Sequence, residues 1–300
     1  MGVMHHLSIT HPRKDQVMAR STSCAVASLA LLTTACANEP TAVTQDRDRP
    51  VAAALRPDVK ATTVGCGATL LTDLKLESDL VCPGDAIIVG ADGITVDLSG
   101  HTISGAGVGV GVTVRARQGV TVRGGQVRGF LTGIFVTQST DIVISHNELT
   151  QTREGIFFAG TTGSVIKNNV VWANQLRGIM IRPTGAGALA TDNRIVENVL
   201  LDNPSGLLVF GQPGNTFIAN HISGSSVAAL DLTGGGASGN VFRGNRLSES
   251  AAGIKFGPGW TGNDFFGTTL AGNVCGTQGT ATGNTLRGTN FLRNDADSCP

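Results

Sequence analysis

Gly133-Ile-Phe-Val136, Gly155-Ile-Phe-Phe158 and Gly178-Ile-Met-Ile181 are copies of one phrase, in which a Gly precedes a short apolar strand. The phrase also occurs as Gly111-Val-Thr-Val114, Gly206-Leu-Leu-Val209, Ala229-Leu-Asp-Leu232 and Gly253-Ile-Lys-Phe256. Successive copies start 22, 22, 23, 28, 23 and 24 residues apart. A repeat of about this length indicates a solenoid of stacked units.

A second phrase keeps step with the first and ends in Asn. Its copies end at Asn147, Asn169, Asn198, Asn220 and Asn245. Both phrases gain extra residues in the same two places, near 183–187 and 234–239. Because the same insertions lengthen the spacing of both phrases, the two phrases belong to one structural unit.

The fold class follows from the spacing of the apolar residues within each unit. Apolar residues alternate with a period of two, which predicts strands. Charged residues make up 15% of the chain and Gly accounts for 41 of its 300 residues, which disfavours helical repeats. The Leu-x-x-Leu-x-Leu pattern of leucine-rich repeat proteins is absent. We therefore predict an all-β, right-handed parallel β-helix in which each coil of about 22 residues stacks about 4.8 Å above the last.

Two columns of apolar residues flank the Asn column and predict the packed interior. They are Ile144, Ile166, Ile195, Phe217 and Phe242, and then Leu149, Val171, Leu200, Ile222 and Leu247. An inward Asn at a bend satisfies backbone groups of its own coil and bonds its copy in the next coil. The Asn column is accordingly interpreted as structural and not as a ligand set.

The chain divides into three parts, with boundaries at 1–37, 38–62 and 63–300. The short apolar run before Cys36 resembles a secretory signal, and 38–62 has the composition of a flexible linker. Leu32-Thr-Thr-Ala-Cys36 resembles a lipoprotein box, which predicts lipid on Cys36 and attachment to the cell envelope. The alternative is cleavage at Ala35-Cys-Ala37 and release of a secreted protein.

Four further Cys lie in the third part, at Cys66, Cys82, Cys275 and Cys299. Four Cys allow three pairings. Local pairing, Cys66 with Cys82 and Cys275 with Cys299, is expected because each pair lies at one end of the solenoid. Such bonds would staple the end coils, and they require an exported compartment. The sequence contains no Cys-x-x-Cys motif, so it does not indicate a zinc site.

After residue 37 the chain carries 19 Lys and Arg against 21 Asp and Glu, so it is nearly neutral. No basic stripe with interleaved aromatic residues appears, and no nucleic-acid partner is expected. The membrane is expected as a partner only through the lipid anchor.

The segment with Cys82-Pro-Gly-Asp85 and Asp92-Gly-Ile-Thr-Val-Asp-Leu-Ser-Gly-His-Thr-Ile103, followed by the Asn-ended repeats, resembles β-helix repeat proteins of the pectate-lyase-like superfamily. The resemblance covers about 63–290. It implies the fold but not one activity, because the superfamily includes lyases, hydrolases, epimerases, proteins without known catalysis and a periplasmic protein linked to copper delivery. The superfamily's epimerase, polygalacturonase and calcium motifs are absent here, and no metal or other cofactor is expected.

The middle residue of each first-phrase strand is expected to point outward. Phe135, Phe157, Met180 and Leu208 would then form an exposed apolar stripe about 14 Å long over successive coils. A loop of the same chain could cover it. Otherwise it would be a face for a partner protein or a second copy, or a platform for sugar rings.

Five charged residues stand beside this stripe and are the candidates for catalysis. They are Glu154, Arg177, Arg182, Asp231 and Lys255. A polysaccharide lyase uses a basic residue to take a proton beside a sugar carboxylate that an Arg holds. The competing interpretations are an Asp231–Lys255 cross-strand ion pair and a solvated face for the other three.

The sequence favours an exported, non-catalytic β-helix that binds a polysaccharide or a surface protein along its exposed strands. The first alternative is a lyase or epimerase acting on an acidic glycan, and the second is a periplasmic metal-delivery protein. A catalyst should gather several polar side chains in one groove, whereas a binding protein needs only the stripe.

Overall fold

The computed structural model describes residues 64–300, and every regular element in that part of the chain is a β-strand. The strands form three parallel sheets, and each turn of the chain adds one strand to each sheet. About ten turns follow one another, about 23 residues apart. The all-β, right-handed parallel β-helix predicted from the sequence is confirmed. None of the residues in 64–300 forms a helix long and apolar enough to cross a membrane.

The first sheet contains the predicted Gly-led strands, and its longest members have six residues. Its strands are Ala68–Leu70, Ile87–Val89, Val110–Arg115, Thr132–Thr137, Glu154–Ala159, Arg177–Arg182, Ser205–Phe210, Ala228–Thr233, Ala252–Phe256, Cys275–Gln278 and Ala296–Cys299.

The second and third sheets are built from strands of two or three residues. The strands of the second are Leu74–Lys75, Thr95–Asp97, Thr121–Arg123, Val143–Ser145, Val165–Lys167, Arg194–Val196, Thr216–Ile218, Val241–Arg243, Asp264–Phe266 and Thr285–Arg287. Those of the third are Leu80–Val81, Thr102–Ser104, Gln126–Arg128, Glu148–Thr150, Val170–Trp172, Val199–Leu201, His221–Ser223, Arg246–Ser248, Thr269–Ala271 and Asn290–Leu292.

The interior follows the predicted register. Ile144, Ile166, Ile195, Phe217 and Phe242 are paired in sequence along the second sheet, and all are buried. The Phe217 and Phe242 rings stack with centroids 4.6 Å apart, and Phe265 extends the stack at 4.4 Å. Identical side chains one coil apart thus pack face to face, which contributes to the stability of each coil–coil contact.

The Asn column forms the hydrogen-bonded ladder that the sequence predicts. The side-chain oxygen of Asn169 accepts bonds from the backbone N–H and the side-chain amide of Asn147, each about 3.0–3.1 Å long. The Asn169 side-chain amide donates in turn to Asn198 Oδ1 and to the Ile144 carbonyl oxygen. Asn169 therefore links three successive coils from inside the bend.

The structure adds two ladders that the sequence reading missed. The bend before the second sheet carries Asn193, Asn215, Asn240, Asn263 and Asn284. The bend before the first sheet carries Thr152, Asn174, Asn203, Ser225, Ser250, Asn273 and Asn294. At all three bends, Asn side chains satisfy backbone groups that the sheets leave unpaired.

Most ladder residues follow a residue in the left-handed backbone region. Ala219, with a φ of 52°, precedes Asn220, and Ala173, with a φ of 49°, precedes Asn174. This conformation turns the chain sharply enough to aim the next side chain inward. Because it is unfavourable for residues other than Gly, packing in the stacked coils must hold it in place.

The two expected disulfides are present. Cys66 pairs with Cys82 and Cys275 with Cys299, with Cα atoms 5.5 and 5.9 Å apart. Each bond joins neighbouring coils near one end of the described solenoid. The predicted signal in 1–37, the lipid on Cys36 and the linker at 38–62 lie outside the described residues.

Candidate functional site

The predicted outward column of the first sheet has the expected register. In order along the sheet it contains Phe135, Phe157, Met180, Leu208, Asp231 and Lys255, each paired with the next. Four apolar residues therefore follow one another, and the two charged residues come after them.

The exposure of this column differs from the expectation. Phe135 and Phe157 are half-buried, but Met180 is only 6% exposed and Leu208 only 4%. The prediction of an apolar stripe exposed over four coils is therefore wrong at Met180 and Leu208. An outward direction does not ensure exposure, because side chains in coils about 4.8 Å apart shield one another along a column. The accessible part of the column is the pair of Phe residues.

The two Phe rings are bracketed by two guanidinium groups. The ring centroids lie 5.1 Å apart and the planes are tilted by 59°. The Arg115 guanidinium lies 5.9 Å from the Phe135 centroid, and that of Arg182 lies 5.6 Å from the Phe157 centroid. The order Arg115, Phe135, Phe157, Arg182 spans four consecutive coils.

A concavity of about 400 Å³ lies between these groups. Arg115, Thr137, Ala159 and Arg182 form the neighbouring outward column in consecutive coils. The two middle side chains are short and the two outer ones are long. The surface is therefore lowered between the two guanidinium groups, and the Phe rings line one side of the depression.

The wall of the concavity is the insertion found in the sequence at 183–187. Thr184, Gly185 and Ala186 line it. The loop is closed by a 2.9 Å bond from the Thr184 backbone N–H to the Ala188 carbonyl and by a 3.0 Å bond from the Ala188 backbone N–H to Thr184 Oγ1. Arg182 Nε donates to the Pro183 carbonyl oxygen at 3.1 Å, which fixes its side chain beside the ring.

Arg115, Thr137 and Gln138 belong to this site, but the sequence analysis did not identify them. A signal for Arg115 was available, since Arg115 stands four residues after Gly111, as Arg182 stands four residues after Gly178. Comparing the residue at that offset in every copy of the phrase would have found the two arginines and the small residues between them.

Glu154 and Arg177 face each other in adjacent coils rather than forming a solvated face. The Arg177 Nη1 atom lies 3.2 Å from Glu154 Oε1, and Arg153 Nε lies 3.8 Å from the same oxygen. Glu154 is buried, and the Thr132 hydroxyl donates to its other oxygen at 3.5 Å. The carboxylate is thus neutralised by its neighbours.

Asp231 and Lys255 lie opposite each other in the register, but within 64–300 no ion pair shorter than 4.0 Å joins them. The Ser205 hydroxyl donates to Asp231 Oδ2 at 3.1 Å, while Oδ1 is buried without a hydrogen-bond partner. Burial raises the pKa of the Asp231 carboxyl, against the lowering effects of the Ser205 bond, Lys255 and Arg177. The predicted simple ion pair is therefore wrong at this position.

The five charged candidates do not converge on one point. Asp231 lies three coil steps from Phe157, which is about 14 Å along the sheet. Arg182 belongs to the concavity. Glu154 pairs with Arg177, and Arg177 in turn lies close enough to Asp231 to lower its pKa, as does Lys255. The concavity itself offers two cations and two aromatic rings, a combination that can bind an anionic, partly apolar ligand.

Residues 78–294 match the protein family described as "Periplasmic copper-binding protein (NosD)". The chain belongs to this family. The NosD family is periplasmic by its description, and two disulfides indicate an oxidising compartment, so the protein is an extracellular or periplasmic one. No curated protein matches the chain.

Solved structures similar to this NosD-family chain are β-helices. The periplasmic alginate epimerase AlgG is 13% identical, with a TM-score of 0.52 over 74% of this chain and 58% of its own. The alginate lyase from Paenibacillus sp. str. FPU-7 is 14% identical, with a TM-score of 0.52 over 73% and 91%. The Azotobacter vinelandii mannuronan C-5 epimerase AlgE4 A-module is 14% identical, with a TM-score of 0.50 over 77% and 83%. At these identities the similarity shows the fold alone, and the chain spans little more than half the length of AlgG.

The described part of the chain does not fit the copper site that the NosD description implies. Within 64–300 no three His, Cys, Asp or Glu residues are grouped as metal ligands. The four Cys are oxidised. His101, His146 and His221 lie on different strands or bends, and Met180 is buried in the first sheet.

Proposed function

We propose that this protein is an exported β-helix protein that binds an acidic polysaccharide, without transforming it, in the concavity between Arg115 and Arg182. The observation that carries the proposal is the bracket of two guanidinium groups around two Phe rings. Carboxylates are the expected partners of the guanidinium groups, and the apolar faces of sugar rings suit the Phe side chains.

The position of each guanidinium over a ring favours recognition of carboxylates over simple attraction of charge. A guanidinium held against an aromatic ring keeps N–H groups at its edge free, and these can grip a carboxylate through two parallel bonds. Arg182 is further ordered by its bond to Pro183. Because these side chains are already ordered, less conformational entropy is lost when a ligand binds.

The positive charge of the two arginines and the distance between them favour a polymeric anion as the ligand. The backbone positions of the two arginines are three coil steps apart, which is about 14 Å. A polymer with regularly placed carboxylates can engage both arginines. The alginate and mannuronan named for the similar structures are polymers of this kind, although fold similarity alone does not transfer a substrate.

Binding of alginate and polygalacturonate oligosaccharides tests the proposal, with neutral maltohexaose as the ligand control. Arg115→Gln with Arg182→Gln should weaken binding at this site by about tenfold or more. Arg128→Gln, an exposed Arg on the third sheet, is the matched control and should bind like the parent. Hydrogen exchange should show ligand protection in 132–137 and 183–187. Equal binding by the double variant and the parent, with no protection there, would refute the site.

Catalysis on an acidic glycan is the second candidate, and the raised pKa of Asp231 beside Lys255 is the observation that favours it. A carboxyl with a raised pKa is a better proton donor candidate than an ordinary Asp, because it holds its proton more tightly. Incubation with alginate, followed by ultraviolet detection of unsaturated ends and by NMR of the uronate configuration, tests it. Product formation that Asp231→Asn abolishes would replace the non-catalytic proposal.

Copper delivery is the third candidate, and the description of the family is what favours it. Equilibrium dialysis of the oxidised full chain against Cu(I) and Cu(II) tests it. Stoichiometric copper bound by the full chain would establish this candidate and direct the search for ligands to residues outside 64–300.

A further inference from the structure

A second arrangement of arginine and phenylalanine lies on a different sheet. Arg243, Phe266 and Arg287 occupy one outward column of the second sheet in three consecutive coils. The Arg243 guanidinium lies 5.4 Å from the Phe266 ring centroid. Phe266 is 52% exposed, although apolar side chains of its size are usually covered. A recess of about 170 Å³ lies beside the column.

The charge of these arginines is not neutralised within the described chain. Arg123 stands in the same column, and its Nη2 atom is 2.9 Å from Asp97 Oδ2. By contrast, neither Arg243 nor Arg287 has a carboxylate within 4.0 Å among residues 64–300. Two exposed cations without a nearby carboxylate lie on either side of an exposed ring. Such a cluster can attract and bind an anionic ligand.

We infer that Arg243, Phe266 and Arg287 form a second binding site for an acidic polysaccharide. The inference rests on the proposed function only for the class of ligand, since the site itself is defined by separate residues. The backbone positions of the two arginines are two coil steps apart, which is about 10 Å, so a polymer with repeated carboxylates can engage both. The ring between them orders Arg243 and provides an apolar edge for the sugar.

The single acidic residue at the recess argues for a glycan over a nucleic acid. Asp264 lines the recess and is exposed. Its carboxylate can accept hydrogen bonds from sugar hydroxyl groups, which are abundant on a polysaccharide. The phosphate groups of a nucleic-acid backbone carry no such hydroxyl donors for this carboxylate. The recess therefore matches a polymer that carries both carboxylates and hydroxyl groups.

The position of the second site gives the protein a further capability. It lies on the second sheet, whereas the concavity of Phe135 and Phe157 lies on the first. One protein can then hold two polymer segments at once. Because two linked sites bind a long polymer more tightly than either site alone, removal of one should weaken binding of polymer more than that of oligomer.

Calorimetry of the full chain with short alginate or polygalacturonate oligosaccharides counts the sites. The parent should bind two oligomers, and Arg243→Gln with Arg287→Gln should bind one. Arg123→Gln is the matched control, because Asp97 already neutralises that Arg in the same column. The parent should also cross-link long alginate, measured as a rise in viscosity, and the double variant should lose that effect.

The outcomes separate this inference from the proposed function. If the parent binds one oligomer and Phe135→Ser with Phe157→Ser removes it, the first site stands and the second is refuted. If the Phe135 and Phe157 variant still binds one oligomer that Arg243→Gln with Arg287→Gln removes, the second site stands alone. Binding of single-stranded DNA but not of oligosaccharide at Arg243 and Arg287 would overturn the ligand assigned here.

Discussion

The Arg182 guanidinium lies 5.6 Å from the centroid of the Phe157 ring, across the step from one coil to the next. This contact is diagonal, because Phe157 belongs to the middle column of the first sheet and Arg182 to the neighbouring one. It joins the apolar pair to the inserted loop at 183–187 and so turns a flat sheet surface into a concavity with one charged end. Arg115 and Phe135 repeat the relationship at the other end.

The aromatic pair should contribute to both ligand affinity and stability. Phe135→Ser with Phe157→Ser is expected to reduce oligosaccharide binding at the concavity by at least tenfold. Because both rings are only half-buried, the free energy of unfolding should fall by about 1–2 kcal/mol per ring. Isothermal titration and chemical denaturation measure the two effects. Phe210→Ser, an exposed ring of the same sheet outside both sites, is the comparison variant. An unfolding loss far above this range would mean that the pair is a structural element.

Asp231 should make the protein less stable as the pH rises. Its folded pKa is raised, so the folded state holds the proton more tightly than the unfolded state. The stability of the protonated form is fully present below the ordinary Asp value of about 3.9, and it is lost as pH rises through the folded pKa. Asp231→Asn should therefore unfold at a higher temperature than the parent at pH 7 and at a similar temperature near pH 3.5.

The control for this titration is Asp264→Asn, which changes an exposed carboxylate. That variant should give no comparable stabilisation at pH 7. A lower melting temperature for Asp231→Asn at pH 7 would show that the charged form of Asp231 is favoured in the folded protein, contrary to the raised pKa.

The central ladder should be sensitive to loss of a single amide. Asn169→Leu removes bonds to Asn147, Asn198 and the Ile144 carbonyl from a buried bend. The free energy of unfolding should fall by about 1–3 kcal/mol, because backbone groups are left unpaired. Val170→Leu, at the adjacent exposed position, is the control for denaturant unfolding. Equal stability of the two variants would show that the Asn ladder does not contribute to the stability of the fold.

The left-handed residues offer a stabilising substitution. Ala219 is exposed with a φ of 52°, a conformation that Gly adopts without strain. Ala219→Gly should raise the free energy of unfolding by about 0.5 kcal/mol, since the relief of strain exceeds the added entropy of the unfolded chain. Ala271→Gly, within a strand, should lower it by about 0.5–1 kcal/mol. If both changes destabilise equally, the φ at Ala219 is not a source of strain.

The register could be predicted from the sequence because it repeats. Ile144 and Ile166 are both apolar, 22 residues apart and next to a bend, so their pairing needs no knowledge of distant contacts. The same holds for Cys66 with Cys82, whose pairing follows from their place at one end of a solenoid. A local repeat encodes such features directly in the chain.

Exposure and side-chain contacts are less local and could not be predicted in this way. Leu208 has the same place in the repeat as Phe157, yet it is nearly buried, because exposure depends on all the side chains around it. Arg115 was overlooked because its partner is the ring of Phe135 one coil away, and a column is visible only when the repeats are aligned. Functional residues of a solenoid are defined by columns and diagonals rather than by contiguous motifs.

The parallel register of the coils restricts which ligands can fit. Within a sheet, equivalent residues can be separated along the axis only by whole multiples of the strand spacing, about 4.8 Å. Insertions such as that at 183–187 lengthen a loop without changing this spacing, because Met180 still pairs with Leu208. The axial spacing of equivalent side chains on the surface is therefore fixed. A polymer whose charged groups recur at a commensurate distance can contact several coils along one column at once. A polymer with an incommensurate repeat loses this match after the first contact.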